Sequence, residues 1–131
     1  MAESKVQRNL QAMKDFYAAA AAGKSSVVQA MLSDNLVITE GSSLPYAGEY
    51  TGKDALRTIS KKVSAYYGGM TLDIHEYCAG GDWVMTLLDI RPAGKDDRIP
   101  LVEASRFDQD GKIVEIKPFY FDHDLVKRLG V

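Results

Sequence analysis

The chain has 131 residues, a net charge of −2, 46% hydrophobic and 26% charged residues, and a single cysteine, Cys78. The length predicts one domain with one core, and the mixed charges exclude a protein that binds nucleic acid or a membrane surface through a basic face. No apolar run approaches the roughly 18 residues of a membrane span, no signal-peptide core is visible, and a lone cysteine forms no internal disulfide, so we expect a cytoplasmic protein.

Two helices are predicted at the start of the chain. Apolar residues recur at helical spacing from Val6 to Ala20, which predicts an amphipathic helix over residues 4–22 that ends at Gly23. The apolar residues that follow Ser25 predict a second, shorter helix.

A strand and a long loop come next. Residues 36–40 predict a strand in which Glu40 shares a face with Ile38, because alternate side chains of a strand point the same way. Glu40 is therefore expected at the rim of the interior. The Gly/Ser/Pro-rich stretch that follows is predicted as a loop, in which Tyr46 and Tyr50 either bind a ligand or cover a core edge.

The remaining elements are a third helix and four strands. Thr51 to Asp54 is interpreted as a capping box that opens the helix, and Gly68-Gly69 ends it. Strands are predicted at about 70–78, 82–91, 99–108 and 112–121. Helices followed by antiparallel strands predict an α+β domain with the helices on one face of the sheet.

The stretch from Leu101 to Asp122 is interpreted as the centre of this sheet. Asp110-Gly111 lies between two apolar runs and predicts a tight hairpin, because glycine adopts the positive φ that such a turn requires. Glu103 interrupts the first of these runs, and a carboxylate in a central strand indicates a functional position.

The predicted strands are apolar on both faces. In the strand over 82–91, Trp83, Met85 and Leu87 share one face while Leu88 lies on the other. Three helices can cover only one face of a curved sheet, so the second apolar face predicts a homodimer through the outer surface of the sheet.

Three segments resemble the NTF2-like superfamily and, within it, the SnoaL-like and ketosteroid-isomerase-like proteins: FYAAAAAGKSSVVQAMLSDNLVITE, YAGEYTGKDAL and EASRFDQDGKIVEIKPFYF. The resemblance covers residues 1–131 as one domain. It implies a cone, in which three N-terminal helices pack on a strongly curved, mostly antiparallel sheet that encloses a pocket. The superfamily includes isomerases, polyketide cyclases, dehydratases, epoxide hydrolases and non-catalytic modules, so the implied function stays open among these.

The resemblance to the isomerases carries over residue by residue. Glu40 falls at the position of the general base, where the family usually has Asp. Glu103 falls at the position of the carboxylic acid that donates to the oxyanion, three residues before Arg-Phe. Phe16 occupies the position of the family's principal tyrosine donor, and Tyr17 follows it; one residue rotates a helical side chain by roughly 100°, so the match does not imply steroid isomerisation itself.

Two carboxyl groups aimed into one apolar cavity favour acid/base chemistry. Burial raises a carboxyl pKa, and two neighbouring acids separate their titrations. We therefore expect Glu40 to act as the base and Glu103 as a neutral acid, with Tyr17, Tyr46 or Tyr50 assisting as donor. The predicted reaction is proton abstraction next to a carbonyl in a small hydrophobic molecule, without a cofactor or a metal.

Further residues are expected around the pocket. The predicted pocket wall includes Phe16, Leu88, Ile116 and Tyr120. His75 lies on the polar side of its strand and is interpreted as a surface, interface or pocket-lining histidine. His123 is interpreted as part of a solvated tail.

Three alternatives remain open at this point. Glu40 could be a solvated strand end and Glu103 could be paired with a sheet neighbour. The pocket could belong to a binding or dimerisation module without catalysis. An epoxide hydrolase would require Asp73, His75 or Asp89 to turn inward and hold a water molecule.

Overall fold

Six strands and four helices make up residues 4–131, the part of the chain that the computed structural model describes. The helices are α1 (Lys5–Ala21), α2 (Ser25–Ala30), α3 (Ala55–Tyr67) and α4 (His123–Arg128). The strands are β1 (Leu32–Glu40), β2 (Gly48–Thr51), β3 (Met70–Gly80), β4 (Trp83–Pro92), β5 (Ile99–Phe107) and β6 (Ile113–Tyr120). They form one sheet in the order β2-β1-β6-β5-β4-β3.

The hairpin of β5 and β6 lies in the middle of the sheet, as the sequence predicts. Its turn places Gly111 at a φ of +77°, a conformation that glycine adopts without a Cβ clash. The Asp108 carboxylate accepts the backbone N–H groups of Asp110 and Lys112 at 2.9 and 3.0 Å and so closes the turn.

Strand β1 joins the N-terminal part of the chain to this hairpin. It pairs parallel with β6, with Ile38 opposite Ile116, and antiparallel with β2, with Glu40 opposite Gly48. All other pairings are antiparallel, so the sheet is mostly antiparallel, in agreement with the expected cone. This pairing brings the end of β1 to the centre of the sheet.

The core lies between the helices and one face of the sheet. In β4 the side chains of Val84, Thr86, Leu88 and Ile90 are buried, whereas Met85 and Leu87 on the opposite face are more than a third exposed. The helices contribute buried side chains to the same core, including Met13 of α1 and Ile59 of α3.

Two predictions around residues 48–54 were wrong. Gly48–Thr51 was expected in a loop but forms β2 against β1, because the chain turns back after Glu40 and its backbone groups find partners there. Thr51 therefore does not cap α3. Asp54 is the N-cap of that helix without a side-chain cap, and its carboxylate pairs with Arg57 at 2.9 Å.

The tail after β6 forms a fourth helix rather than a solvated segment. Asp122 is its N-cap, and its carboxylate accepts the N–H of Leu125 at 3.0 Å. His123 is exposed at the start of α4, while Val126 is fully buried. Among the described residues no helix is both long and apolar enough to cross a membrane.

A β-bulge in β3 changes which side chains face the core. The register against β4 shifts between Ile74 and Glu76, so the strand gains one residue there. Tyr77 consequently lies opposite buried Thr86 and packs 6.2 Å from Tyr17, measured between ring centroids. Without the bulge, Tyr77 would share the face of His75, because alternate side chains of a strand point the same way.

Removal of the Asp122 cap tests the origin of α4. We expect Asp122→Ala to lower the free energy of unfolding by about 1 kcal/mol, the usual effect of losing a side-chain N-cap. Asp124→Ala is the matched control, since it removes an acid from the same turn and costs only a few tenths of a kcal/mol. Urea denaturation measures both; equal losses would contradict a capping role.

Candidate functional site

A cavity of about 140 Å³ lies between α1, α3 and the inner face of the sheet. Its walls are mostly apolar and include Phe16, Ile38, Leu56, Leu88, Leu101 and Ile116. An apolar cavity of about 150 Å³ holds a benzene molecule. The available space therefore suits one small ring or a short chain.

Glu40 closes one side of this cavity from the end of β1. The residue is only 6% exposed, and its Oε1 atom is buried without a hydrogen-bond partner. Burial raises the pKa of Glu40 to about 8, and the negative charge of Glu103 acts in the same direction. A buried acid without a partner is a group that a ligand can satisfy.

Glu103 faces the same cavity from β5. Its Oε1 accepts a hydrogen bond from the Tyr17 hydroxyl at 2.5 Å, so helix α1 holds one of its two oxygens. Burial raises the pKa of Glu103, and the hydrogen bond from Tyr17 opposes that rise without cancelling it. The pKa of Tyr17 is itself raised by burial, so Tyr17 donates as a neutral phenol.

Electrostatics near the two acids is one-sided. Among the described residues that line the cavity there is no Lys, Arg or His. Arg106 and Lys117 of the sheet bind Glu115 instead, at 3.0 and 3.2 Å. No group of three or more His, Cys, Asp and Glu residues within 4–131 is placed to hold a metal ion. Two uncompensated acids at one site disfavour simultaneous ionisation.

Three tyrosine hydroxyls form a hydrogen-bonded chain behind the Glu40 side of the cavity. The Tyr46 hydroxyl donates to Tyr120 at 2.8 Å and lies 3.0 Å from that of Tyr67. Burial raises the pKa of Tyr67 to about 12. Of these only Tyr120 lines the cavity; Tyr46 lies behind the wall, and the Tyr50 hydroxyl donates to the Tyr46 carbonyl at 2.9 Å.

His75, which was weighed as a pocket residue, lies outside the cavity. It is located at the β3 bulge on the outer face, and its Nε2 is 2.8 Å from the carboxylate of Asp89. Asp73 contacts Arg91 and Arg98 at 3.5 and 3.4 Å. None of Asp73, His75 and Asp89 lines the cavity, although an epoxide hydrolase would require one of them to turn inward.

Thr86, which was not among the expected site residues, lies beside the site, although it does not line the cavity. It lies opposite Glu103 in the sheet, is fully buried, and its hydroxyl has no hydrogen-bond partner. Its position could have been read from the strand, because it shares the buried face with Val84 and Leu88. A polar side chain on an apolar face is the signal that was overlooked.

Sequence comparison supports one family. Residues 13–116 match the model of the SnoaL-like domain. Among curated proteins, no sequence matches this chain.

Solved structures agree with this result at the level of the fold. Bal32a, from a soil-derived mobile gene cassette, is 15% identical with a TM-score of 0.81, covering 92% of this chain and 95% of its own. An NTF2-like protein of unknown function from Burkholderia pseudomallei is 22% identical with a TM-score of 0.80, covering 93% and 96%. TerC, co-crystallised with polyporic acid, is 17% identical with a TM-score of 0.78, covering 93% and 97%.

The raised pKa of Glu40 has a consequence for stability. Its pKa rises from 4.5 to about 8 on folding, so this group stabilises the folded state fully below pH 4.5 and loses that contribution as the pH rises through about 8. We therefore expect Glu40→Gln to change the free energy of unfolding differently at the two ends of this range. Its effect should be more stabilising at about pH 9 than at about pH 5, by about 1–3 kcal/mol.

Urea denaturation at the two pH values measures this difference. Glu49→Gln is the control, because Glu49 is an exposed acid on β2. A pH-independent effect of Glu40→Gln would mean that Glu40 titrates like a hydrated carboxylate.

Proposed function

We propose that this chain, which belongs to the SnoaL-like family and has an NTF2-like fold, is a cofactor-independent acid/base enzyme. The observation that carries the proposal is that Glu40 and Glu103 converge on one apolar cavity. The described residues that line this cavity include no Lys, Arg or His. One acid is unpartnered and the other is held by Tyr17. The substrate is a small hydrophobic carbonyl compound.

In the proposed reaction the ionised form of Glu40, whose share increases as the pH approaches its pKa of about 8, removes a proton from the carbon next to the carbonyl. The electrons of the broken C–H bond form a C=C bond, and those of the C=O π bond move to oxygen. Glu103 is neutral and donates a hydrogen bond from its second oxygen to that developing oxyanion. Tyr17 positions Glu103 by holding Oε1.

The fate of the enolate then depends on the substrate. Return of the proton from Glu40 to a different carbon gives isomerisation. Attack of the enolate carbon on a second carbonyl gives cyclisation, and loss of a β-hydroxyl group gives dehydration. Glu40, at one side of the cavity, could return a proton in each case.

Binding without turnover is the second candidate. The observation that favours it is that the Tyr17 hydroxyl already donates its hydrogen bond to Glu103 and so cannot donate to a ligand. TerC, which has a similar fold, was co-crystallised with polyporic acid. By analogy, the cavity of this chain would bind a small molecule without converting it.

Hydrogen–deuterium exchange in 2-heptanone tests the enzyme proposal. Proton NMR in D₂O should show catalysed exchange at the carbons next to the carbonyl. We expect Glu40→Gln to reduce the rate by about 10²- to 10⁴-fold, the usual contribution of a general base. Glu103→Gln should reduce it by about 10- to 10³-fold, because an amide donates less well than a neutral acid.

The control for exchange is again Glu49→Gln, which should retain the wild-type rate. Binding of 2-heptanone without exchange above the buffer rate would favour the binding module. An unchanged rate in Glu40→Gln would remove Glu40 from the mechanism.

We also propose that the outer face of the sheet pairs with a second copy of the chain. Leu87, Val102 and Phe119 lie in register across β4, β5 and β6 and form an apolar row, with Phe119 59% exposed. Met85 on the same face is also exposed. A continuous apolar row on the uncovered face of an antiparallel sheet supports a symmetric partner.

A charge in this row should prevent the association. We expect the wild type to sediment as a dimer and Phe119→Asp to sediment as a monomer, because two buried carboxylates would face each other or remain desolvated. Val27→Asp is the matched control, since Val27 is a comparably exposed apolar residue (47%) on α2. A monomeric wild type at micromolar concentration would contradict the proposed dimer.

A further inference from the structure

A groove between α2 and α3 adjoins the cavity that contains the two acids. It has a volume of about 230 Å³, and its lining includes Ala20, Leu56, Ser60, Lys24 and Arg57. We call it the α2–α3 groove. It lies outside the residues assigned above to proton transfer.

The groove and the cavity share part of their walls. Ala20, Leu56 and Ser60 line both of them. Ala20 and Ser60 are small and exposed, so little side-chain material lies between the solvent-facing groove and the interior. The cavity and the groove therefore adjoin each other between α1 and α3.

The groove has the opposite charge to the cavity. Its described lining contains Lys24 and Arg57 but no Asp or Glu. Arg57 is already paired with Asp54 at 2.9 Å, whereas Lys24 has no ion-pair partner among the described residues. Within the described part of the chain, one lysine without an ion-pair partner therefore lines a groove that adjoins a cavity with two acids.

We propose that the cavity takes a keto acid, whose carbonyl end reaches Glu40 and Glu103 and whose carboxylate pairs with Lys24 in the α2–α3 groove. The choice of reaction rests on the proposed function, whereas the choice of ligand rests on the groove. A single unpaired lysine matches the single charge of a carboxylate. The rim position leaves that carboxylate hydrated, so it avoids the large cost of burying an ion.

The charge distribution also fixes the orientation of such a ligand. A carboxylate that entered deeply would meet Glu40 and Glu103 without a compensating cation, which is unfavourable. The carbonyl end is neutral and carries only a hydrogen-bond acceptor, so it enters the cavity instead. A contact far from the reacting carbon thus positions the carbon next to Glu40.

A matched pair of ligands tests this inference. 6-Oxoheptanoate and 2-heptanone share the same methyl ketone and chain, and differ only in a carboxylate or a methyl group at the far end. Isothermal titration gives their dissociation constants with wild type, Lys24→Gln and Lys61→Gln. Lys61 is the control because it is an exposed lysine of α3 that does not line the groove.

We expect wild type to bind 6-oxoheptanoate more tightly than 2-heptanone. Lys24→Gln should weaken binding of the keto acid by about two- to fivefold, as expected for an exposed ion pair, and leave 2-heptanone unchanged. Lys24→Arg should restore most of the loss, and Lys61→Gln should have no effect. Added salt should reduce the preference of wild type for the keto acid.

Several results would overturn the inference: equal affinity for the two ligands, no binding of either, or equal losses in Lys24→Gln and Lys61→Gln. Deuterium exchange separates it from the proposed function. Tighter, Lys24-dependent binding of the keto acid without exchange would contradict the enzyme but support the ligand class. Equal, Lys24-independent exchange in both compounds would support the enzyme and contradict the ligand class.

Discussion

Two carboxylic acids, Glu40 and Glu103, share an apolar cavity, and the described residues that line it include no positively charged side chain. The proposed chemistry of this protein depends on that constraint. Desolvation favours a protonated acid, so Glu40 and Glu103 compete for the charged state rather than both carrying it. Tyr17 makes the two acids unequal by binding only Glu103. Arg106 and Lys117 lie with Glu115 on the outer face of the sheet, so these basic residues do not neutralise the site.

The fold produces this asymmetry with few elements. Strand β6 lies between β1 and β5, so Glu40 and Glu103 approach each other from two strands that do not pair directly. Helix α1 crosses above and supplies Tyr17, while the tyrosine chain from Tyr46 to Tyr120 fills the side next to Glu40. Rigid strands and helices thus hold every group that the proposed reaction uses.

The sequence was sufficient for the parts of the structure that local patterns determine. Alternation placed Glu40 on the same face as Ile38, and Asp110-Gly111 marked the central hairpin. The bulge beside His75 was not predictable in this way, because it depends on how β3 pairs with β4 rather than on composition. Equally, the local pattern buries both Phe16 and Tyr17, and only the position of Glu103 on β5 shows that the Tyr17 hydroxyl has an acceptor inside the cavity.

The parallel pairing of β1 with β6 also joins two distant parts of the chain. Ile38 and Ile116 lie far apart in the sequence, so their contact closes a long loop, and long-range pairings of this kind slow folding. In the unfolded chain Glu40 is hydrated and, with its ordinary pKa of 4.5, is ionised at neutral pH. Because burial raises the pKa of Glu40 from 4.5 to about 8, folding that closes the cavity is coupled to the uptake of a proton at neutral pH.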